Sequence, residues 1–303
     1  MAAVLERLPE GARIAVVRLR SLGDCVLTTP ALALLKRHRP DLRLAIVVES
    51  RFRAVFEGNP DLERILDPRP RALFRWRPRL ALNLHGGARS MVLTAASAAP
   101  LRAGFAHHRY RFLYSHRIPR AQDILGQPRP VHTAEHLASA MFWLGVPLGE
   151  IPRAKLFAQP EPSRPPYAVL HPFASAPAKT WPAVRFLLLA AELKRSLGLD
   201  PVFLAGPADD FSPFAAFEVC NAAPLSRVKS LLAGAQLFVG NDSGPAHMAA
   251  AFGLPVVALF GDSDPSIWAP WRTPARVLSS PGGIAGISLE EVVAAAHSIG
   301  APA

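Results

Sequence analysis

The sequence predicts an α/β fold in which two parallel-sheet domains face each other across a cleft. Short apolar, β-branched runs alternate with longer helical segments through both halves of the 303-residue chain. An extended segment with six prolines, from Pro147 to Pro166, interrupts this alternation once. We therefore predict an N-terminal domain at residues 1–150, a proline-rich linker at 151–166 and a C-terminal domain at 167–303.

The first half contains short buried runs that we interpret as strands, each followed by a helix or a turn. These strands span residues 14–17, 42–48, 64–66, 80–84 and 101–105. Helices are predicted at residues 24–38, 51–57, 88–98 and 131–144. Pro30 lies inside the first helix, which predicts a late start or a kink there. Residues 106–131 are rich in His, Arg and Pro, so we expect a surface loop.

The second half repeats the alternation after the linker. Strands are predicted at residues 167–170, 201–205, 237–239 and 256–260. Helices are predicted at residues 182–197, 213–221, 225–233, 245–252 and 288–298. The last helix begins with a capping box, because Glu291 follows Ser288 by three residues. Within the linker, residues 154–157 are a candidate edge strand.

The chemically richest stretch is 240–264, GNDSGPAHMAAAFGLPVVALFGDSD. It reads as a strand end, a tight turn, a short helix and a second strand. Asp242 or Ser243 suits the helix cap, Pro245 the first helical turn and Gly253 the C-terminal stop. In open α/β sheets ligands bind at this edge, and a helix N-terminus there favours a phosphate or another anion.

Composition excludes several classes of protein. No run of 18 apolar residues is present, and charged residues occupy the N-terminal positions where a signal peptide is apolar. The two cysteines, Cys25 and Cys220, provide no disulfide framework and fit a reducing compartment. We therefore expect a cytoplasmic protein.

The net charge of +11 is concentrated in the first half. Twelve arginines lie between Arg69 and Arg129, and Asp123 is the one acid among them. Such a field attracts nucleic acid, anionic lipid headgroups or an acidic substrate, although a merely solvated basic face gives the same pattern.

Two segments together resemble glycosyltransferase family 9, the ADP-heptose:lipopolysaccharide heptosyltransferases and their relatives. They are RLRSLGDCVLTTPALALLKRHRPDLRLAIVV and GNDSGPAHMAAAFGLPVVALFGDSDPSIWAPW, and the resemblance extends from Ile14 to about Trp271. It implies a GT-B architecture of two Rossmann-like domains, with the acceptor on the first and the nucleotide-sugar on the second. It also implies inverting transfer with no metal and no cofactor.

The resemblance implies two catalytic residues. Asp24, in Ser21-Leu22-Gly23-Asp24, matches the family's catalytic aspartate and would deprotonate the acceptor hydroxyl. Its position equally suits an N-cap of the following helix. Lys179, in Lys179-Thr180-Trp181-Pro182, matches the family's K-x-W-P and would place a cation on the departing diphosphate. The alternative is a solvated lysine that precedes a helix.

The donor site implied by the resemblance lies in the second domain. Asp242 would accept hydrogen bonds from sugar hydroxyls, while Ser243 and the Gly244 N–H would face the phosphate. His247 either braces the loop or contacts the ligand. Further donor-binding candidates are Ser175, Thr180 and, for the nucleoside, Asp210 or its neighbour Asp209.

Acceptor binding is expected in the basic first domain. Arginine matches carboxylates and phosphates with two parallel hydrogen bonds, and the lipopolysaccharide inner core carries both groups. Arg89 is the leading candidate. Other candidates are Arg20, Ser21 and Arg120, then Arg18, Arg51 and His85.

Other functions have less support in the sequence. A family 9-like transferase with another nucleotide-sugar or acceptor has the same motifs. A dinucleotide oxidoreductase is disfavoured because the loop after Val17 has one glycine and no G-x-G-x-x-G. Nucleic-acid binding is disfavoured because no stacking motif accompanies the arginines. The resemblance implies ADP-heptose and an anionic glycolipid as partners, and the basic first half adds a peripheral contact with the inner membrane, while no nucleic acid is expected.

Overall fold

The computed structural model describes residues 3–162 and 164–300. The chain divides into two compact units, Met1–Pro152 and Arg153–Ala303. Each unit is built around a sheet of six strands, and all neighbouring strands within each sheet are parallel. This confirms the predicted α/β class with two parallel sheets.

Unit 1 places its strands in the order β3-β2-β1-β4-β5-β6. The strands are β1 (Arg13–Val17), β2 (Arg43–Val47), β3 (Arg64–Leu66), β4 (Leu80–Asn83), β5 (Leu101–Phe105) and β6 (His116–Ile118). The helices are α1 (Leu22–His38), α2 (Arg53–Phe56), α3 (Pro70–Trp76), α4 (Ala88–Ala96), α5 (Ala121–Leu125) and α6 (Thr133–Leu144). The central strands read as unbroken apolar runs because helices cover both faces of the sheet.

The two faces of this sheet carry different helices. On one face, Leu73 and Trp76 of α3 and Leu93 of α4 share a core with β1 and β2. On the other face α6 packs against α1, and the ring of His136 stacks on Phe105 of β5 at 4.1 Å. The neighbouring strand residue, Gly104, points away from Phe105 and lies under the ring of Tyr114.

Unit 2 places its strands in the order β12-β11-β10-β7-β8-β9. The strands are β7 (Tyr167–His171), β8 (Asp200–Ala205), β9 (Glu218–Asn221), β10 (Leu237–Asn241), β11 (Val256–Phe260) and β12 (Ala275–Ser279). The helices are α7 (Ala183–Leu197), α8 (Leu225–Gly234), α9 (Gly244–Phe252), α10 (Pro265–Trp268) and α11 (Leu289–Gly300). Trp181 is fully buried in the core, and its indole N–H donates to the Ile287 carbonyl at 2.9 Å.

The structure corrects the late helix start that was expected at Pro30. Helix α1 runs without interruption from Leu22 to His38. Proline has no N–H for the carbonyl one turn earlier, that of Val26, and the Thr29 hydroxyl donates to this carbonyl at 2.8 Å instead. The side-chain hydrogen bond therefore replaces the missing backbone bond.

Three further expectations were wrong. Residues 106–131 are not all loop, because they contain β6 and α5. Residues 213–221 form a 3₁₀ turn and strand β9 rather than a helix, since pairing with β8 decides this edge segment. Residues 154–157 have no strand partner. By contrast, the capping box is confirmed, because Glu291 accepts from the Ser288 N–H and the Glu291 N–H donates to the Ser288 hydroxyl.

Gly104→Ala tests the packing of Tyr114 over the sheet. A Cβ at position 104 would lie 2.2 Å from the Tyr114 ring, which is buried and held by a hydrogen bond from its hydroxyl to Met91 Sδ. We expect a loss of about 1–3 kcal/mol in the free energy of unfolding, measured by urea denaturation. Gly149→Ala is the control, because the atom nearest to a Cβ at position 149 would be the Pro147 carbonyl oxygen, at 4.0 Å. An equal effect of both substitutions would contradict this packing.

Candidate functional site

Each sheet has one point where its strand order reverses. In unit 1 the chain builds β1, β2 and β3 outward in one direction and then returns to place β4 on the other side of β1. In unit 2 the same reversal places β10 beside β7. The loops that leave neighbouring strands at such a reversal diverge, and the crevice between them is where ligands bind in this class of sheet. The motif residues lie at these two points.

Asp24 lies in the first turn of α1, directly after β1. Ser21 is the N-cap, so the alternative in which Asp24 itself is the N-cap was wrong. Asp24 Oδ2 accepts a hydrogen bond from the Ser21 hydroxyl at 3.1 Å, and the Ser21 N–H lies 3.4 Å from the same oxygen. The Asp24 side chain keeps 23% of its surface exposed, which leaves it accessible to a hydroxyl group.

Arg18 is the charged partner of this carboxylate. Its Nη1 lies 3.4 Å from Asp24 Oδ1, and its side chain is only 7% exposed. Burial lowers the pKa of Arg18, and the negative charge of Asp24 opposes that shift. Among the described residues, Arg18 Nε has no hydrogen-bond partner. A buried guanidinium with an unused N–H is a ready donor for an oxygen atom of a bound ligand.

Histidines surround this pair of charges. Burial lowers the pKa of His85, and the cations Arg18 and Arg20 lower it further. Burial also lowers the pKa of His108 and of His136 to about 4, with smaller contributions from neighbouring histidines and from Arg18. These imidazoles are therefore neutral near pH 7 and can donate or accept hydrogen bonds without adding charge.

An arginine-lined cavity of about 500 Å³ lies at the same edge of the sheet. Glu49 follows β2 and pairs with Arg51 at 3.0 Å and with Arg89 at 3.3 Å. The cavity is lined by Glu49, Ser50, Arg51, Asp67, Pro68, Arg69 and Arg89. Arg89, in the first turn of α4, therefore lines this cavity. Arg20 is exposed in the loop after β1.

Arg120 lies at the same edge, beyond the cavity. It is exposed and precedes α5, after the end of β6. Its charge adds to the effect of burial in lowering the pKa of His107. The first-domain candidates therefore share an edge, and of these Asp24, Ser21 and Arg18 make direct contact.

In unit 2, buried Asn241 ties the two loops of the reversal together. Its amide group donates to the Pro172 carbonyl at 2.8 Å, and its side-chain oxygen accepts from the Trp181 N–H at 3.1 Å. Gly261, at the end of β11, comes so close that a Cβ there would lie 2.0 Å from the Ala178 carbonyl. These contacts hold the loop with Lys179, a 3₁₀ turn at Pro177–Lys179, against β10 and β11.

Asp242 and Lys179 lie at this reversal, close enough for the charge of Lys179 to act on Asp242. Burial raises the pKa of Asp242, while the positive charge of Lys179 acts in the opposite direction. Ser243 is the N-cap of α9, but no side-chain capping bond forms. Its buried hydroxyl has no hydrogen-bond partner among the described residues. The Gly244 N–H lies in the first turn of α9, where the backbone N–H groups lack helical partners.

The remaining donor candidates are less closely gathered. His247 is buried in α9, with its ring 6.3 Å from that of Trp268. The Thr180 hydroxyl donates to the Ala176 carbonyl at 2.9 Å, and Ser175 is exposed. After β8, Asp210 is exposed and accepts from the Ser212 N–H, whereas Asp209 accepts from the Gly206 N–H.

Sequence reasoning missed the supporting residues. Asn241 was within the quoted motif, but its partners Pro172 and Trp181 are 60 or more positions away, so spacing gave no signal. The histidines did carry a signal, since six lie between His85 and His136. Their alternation with arginines concealed that several become neutral through burial.

Comparisons with known proteins agree with these motifs. The family model described as glycosyltransferase family 9 (heptosyltransferase) matches residues 71–290. Lipopolysaccharide heptosyltransferase 3 of Escherichia coli is 24% identical to this chain, and the match covers 84% of each protein. Among the described residues, no helix is both long and apolar enough to cross a membrane.

Solved structures share the fold. A family 9 glycosyltransferase from Veillonella parvula superposes with a TM-score of 0.83 at 24% identity, covering 95% of this chain and 97% of the other. The E. coli heptosyltransferase WaaC with ADP-2-deoxy-2-fluoro heptose superposes with a TM-score of 0.75 at 19% identity, covering 94% and 99%.

His136→Phe tests the buried neutral imidazole. The pKa of His136 falls from 6.5 to about 4 on folding. Acidification therefore protonates the unfolded chain first, so the free energy of unfolding decreases as the pH is lowered from about 6.5 to about 4. For this group the loss amounts to about 3 kcal/mol. We expect His136→Phe, whose ring can still stack on Phe105, to reduce the pH dependence of urea unfolding. His38→Gln, on the exposed end of α1, should retain it, and equal slopes for His136→Phe and the parent would contradict the assignment.

Proposed function

Because this chain belongs to glycosyltransferase family 9, we propose that it transfers a heptose or a related sugar from an ADP-sugar to an anionic glycolipid of the lipopolysaccharide inner-core type. Transfer would proceed with inversion and without a metal ion. The name of the E. coli relative supports the acceptor class. The ADP-heptose analogue in the WaaC structure supports the donor.

One observation carries the proposal: both motif sets lie where the strand order of their sheet reverses. Asp24 follows β1 in unit 1, and Lys179 and Asp242 follow β7 and β10 in unit 2. A sugar transferase needs a base for the acceptor and a cationic site for the leaving diphosphate. Each unit supplies one of these at the position where such sheets bind ligands.

Asp24 is the proposed base. As the acceptor oxygen attacks the anomeric carbon, Asp24 takes the hydroxyl proton and the bond from that carbon to the diphosphate breaks. Arg18 at 3.4 Å and Ser21 at 3.1 Å hold the carboxylate in position.

The donor's diphosphate is assigned to unit 2. Lys179 supplies the cation, and the unpaired N–H groups at the start of α9, with Gly244 and the Ser243 hydroxyl, supply hydrogen bonds. Asp242 accepts hydrogen bonds from sugar hydroxyls, and His247 supports the loop from within α9. Ser175 and Thr180 add hydroxyl contacts, and Asp210 serves the nucleoside.

The acceptor is assigned to unit 1. Arg89 lines the cavity of about 500 Å³ and offers an anionic group a planar, two-pronged donor. Arg20 and Ser21 flank Asp24 in sequence and orient the acceptor sugar, and Arg120 binds a more distant anionic group. The pairing of Arg89 with Glu49 keeps its guanidinium in place before the acceptor binds.

Nucleotide binding provides the first test. ADP at a hundred times its dissociation constant should stabilise the protein by about 2.7 kcal/mol, seen as a rise in Tm. Lys179→Ala should weaken ADP binding at least tenfold, since a charge-assisted hydrogen bond contributes about 1.5–3 kcal/mol. Lys194→Ala, which removes a lysine paired with Asp200 on the surface, should leave ADP binding unchanged. Selective stabilisation by UDP or GDP would contradict the ADP donor, and no response to any nucleotide would contradict the transferase proposal.

Asp24→Asn tests the base. The amide retains the size of the side chain and an oxygen that can accept from Ser21, but it cannot take up the acceptor proton. We expect kcat to fall by about 10²–10⁴ while ADP still raises Tm as in the parent. ADP release from ADP-heptose in the presence of acceptor measures the rate. Asp123→Asn, an exposed acid in α5, is the control, and unchanged kcat in Asp24→Asn would exclude this role.

A further inference from the structure

The positive charge of the chain comes from one segment. Residues 68–122 contain eleven arginines and no Lys, Asp or Glu, and eleven is also the net charge of the whole chain. The rest of the protein is therefore balanced in charge. A surplus confined to one segment matters for binding only if the fold brings that segment to one surface.

The fold does so. Helices α3 and α4 pack against each other and share a core on one face of the unit 1 sheet. The segment 106–115 lies on the same face, because Tyr114 covers Gly104 and its hydroxyl contacts Met91 of α4 at 2.6 Å. We call the outer surface of α3, α4 and residues 106–115 the basic face. The opposite face of the sheet is covered by α1 and α6.

The basic face also exposes large apolar side chains. Phe74 of α3 and Val92 of α4 are each 60% exposed, and Phe112 is 68% exposed. In the described part of unit 1, Leu148 is the other large apolar side chain with comparable exposure. Phe74 lies between Arg71 and Arg75 in sequence, and both arginines are exposed without a hydrogen bond or ion pair among the described residues. Two arginines without an ion pair thus flank an exposed phenylalanine in sequence.

We propose that the basic face docks on an anionic lipid bilayer. Arginines bind headgroup phosphates, and each one near the surface contributes about a fivefold gain in binding. Phe74, Val92 and Phe112 would then enter the boundary between headgroups and acyl chains, where their apolar surface leaves water. Lipid fits this face better than nucleic acid, because Val92 is aliphatic and cannot stack on a base.

The position of the face adds a functional consequence. Helices α3 and α4 begin at the carboxyl edge of the sheet, which also carries Asp24 and Arg89. Phe74 and Val92 lie about one helical turn, roughly 5 Å, from the starts of their helices. Docking there would bring that edge close to the headgroups of a lipid-anchored acceptor. This consequence rests on the proposed function, whereas docking on the bilayer does not.

Vesicle flotation of the full chain without substrate tests the docking. We expect binding to vesicles of phosphatidylcholine mixed with phosphatidylglycerol, no binding to phosphatidylcholine alone, and weaker binding as salt increases. Arg71→Gln with Arg75→Gln should lower the partition coefficient about 25-fold. Phe74→Ser with Val92→Ser should lower it at least tenfold.

Two control variants remove the same number of arginines, or of exposed apolar side chains, from other surfaces of the protein. Arg37→Gln with Arg276→Gln removes two exposed arginines from α1 and β12. Val184→Ser with Leu188→Ser removes two apolar side chains that are 61% and 53% exposed on α7. Both controls should bind within about twofold of the parent. A loss in the controls equal to that in the basic-face variants would overturn the proposal, as would equal binding to the two kinds of vesicle.

Two further outcomes decide against the lipid surface. Tighter binding to double-stranded DNA than to vesicles, unaffected by Phe74→Ser with Val92→Ser, would show a nucleic-acid surface instead. No vesicle binding by the parent chain would also overturn the docking. ADP-dependent stabilisation would still test the transferase proposal by itself, so failure of one does not imply failure of the other.

Discussion

The reversal of strand order in each sheet is the constraint on which the rest of the structure depends. Parallel strands must be joined by crossovers, and crossovers that turn in opposite directions leave the loops between two central strands uncovered. In unit 1 these loops follow β1 and β4, and in unit 2 they follow β7 and β10. Polar groups can lie there with partial access to water, whereas elsewhere the sheets are buried. The motif residues Asp24, Lys179 and Asp242 follow β1, β7 and β10 at these points.

Burial then determines the charge state of the side chains at these loops. Arg18 is taken out of water but retains Asp24 as a partner, so a charged pair persists at low exposure. At His108 and His136 burial is the largest influence, and both become neutral with a pKa of about 4. In unit 2, burial favours the protonated form of Asp242, and the positive charge of Lys179 offsets part of that effect. Each unit thus places an acid near a cation in surroundings of restricted hydration.

The arginines on the surface of unit 1 fall into two groups. Arginines at the carboxyl edge, such as Arg51 and Arg89, are paired with Glu49 and line a cavity. Arginines on the basic face, such as Arg71 and Arg75, form no ion pair among the described residues, and the exposed side chain of Phe74 lies between them in sequence. The paired set suits recognition of one defined anionic group, because its geometry is held. The unpaired set suits a surface of many equivalent phosphates, because it imposes no single geometry.

The sequence by itself determined the features that depend on near neighbours: the central strands, the helix ends at Ser288 and Gly253, and the loops that carry Asp24, Lys179 and Asp242. These follow from local apolar periodicity and from backbone hydrogen bonds within a few residues. Only the tertiary structure decided the edge strands β6, β9 and β12, the bridge of Asn241 to Trp181, and the neutral state of His136. Each of these depends on partners brought close by folding, since strand pairing and desolvation are set by the surroundings of a residue and not by its spacing in the chain.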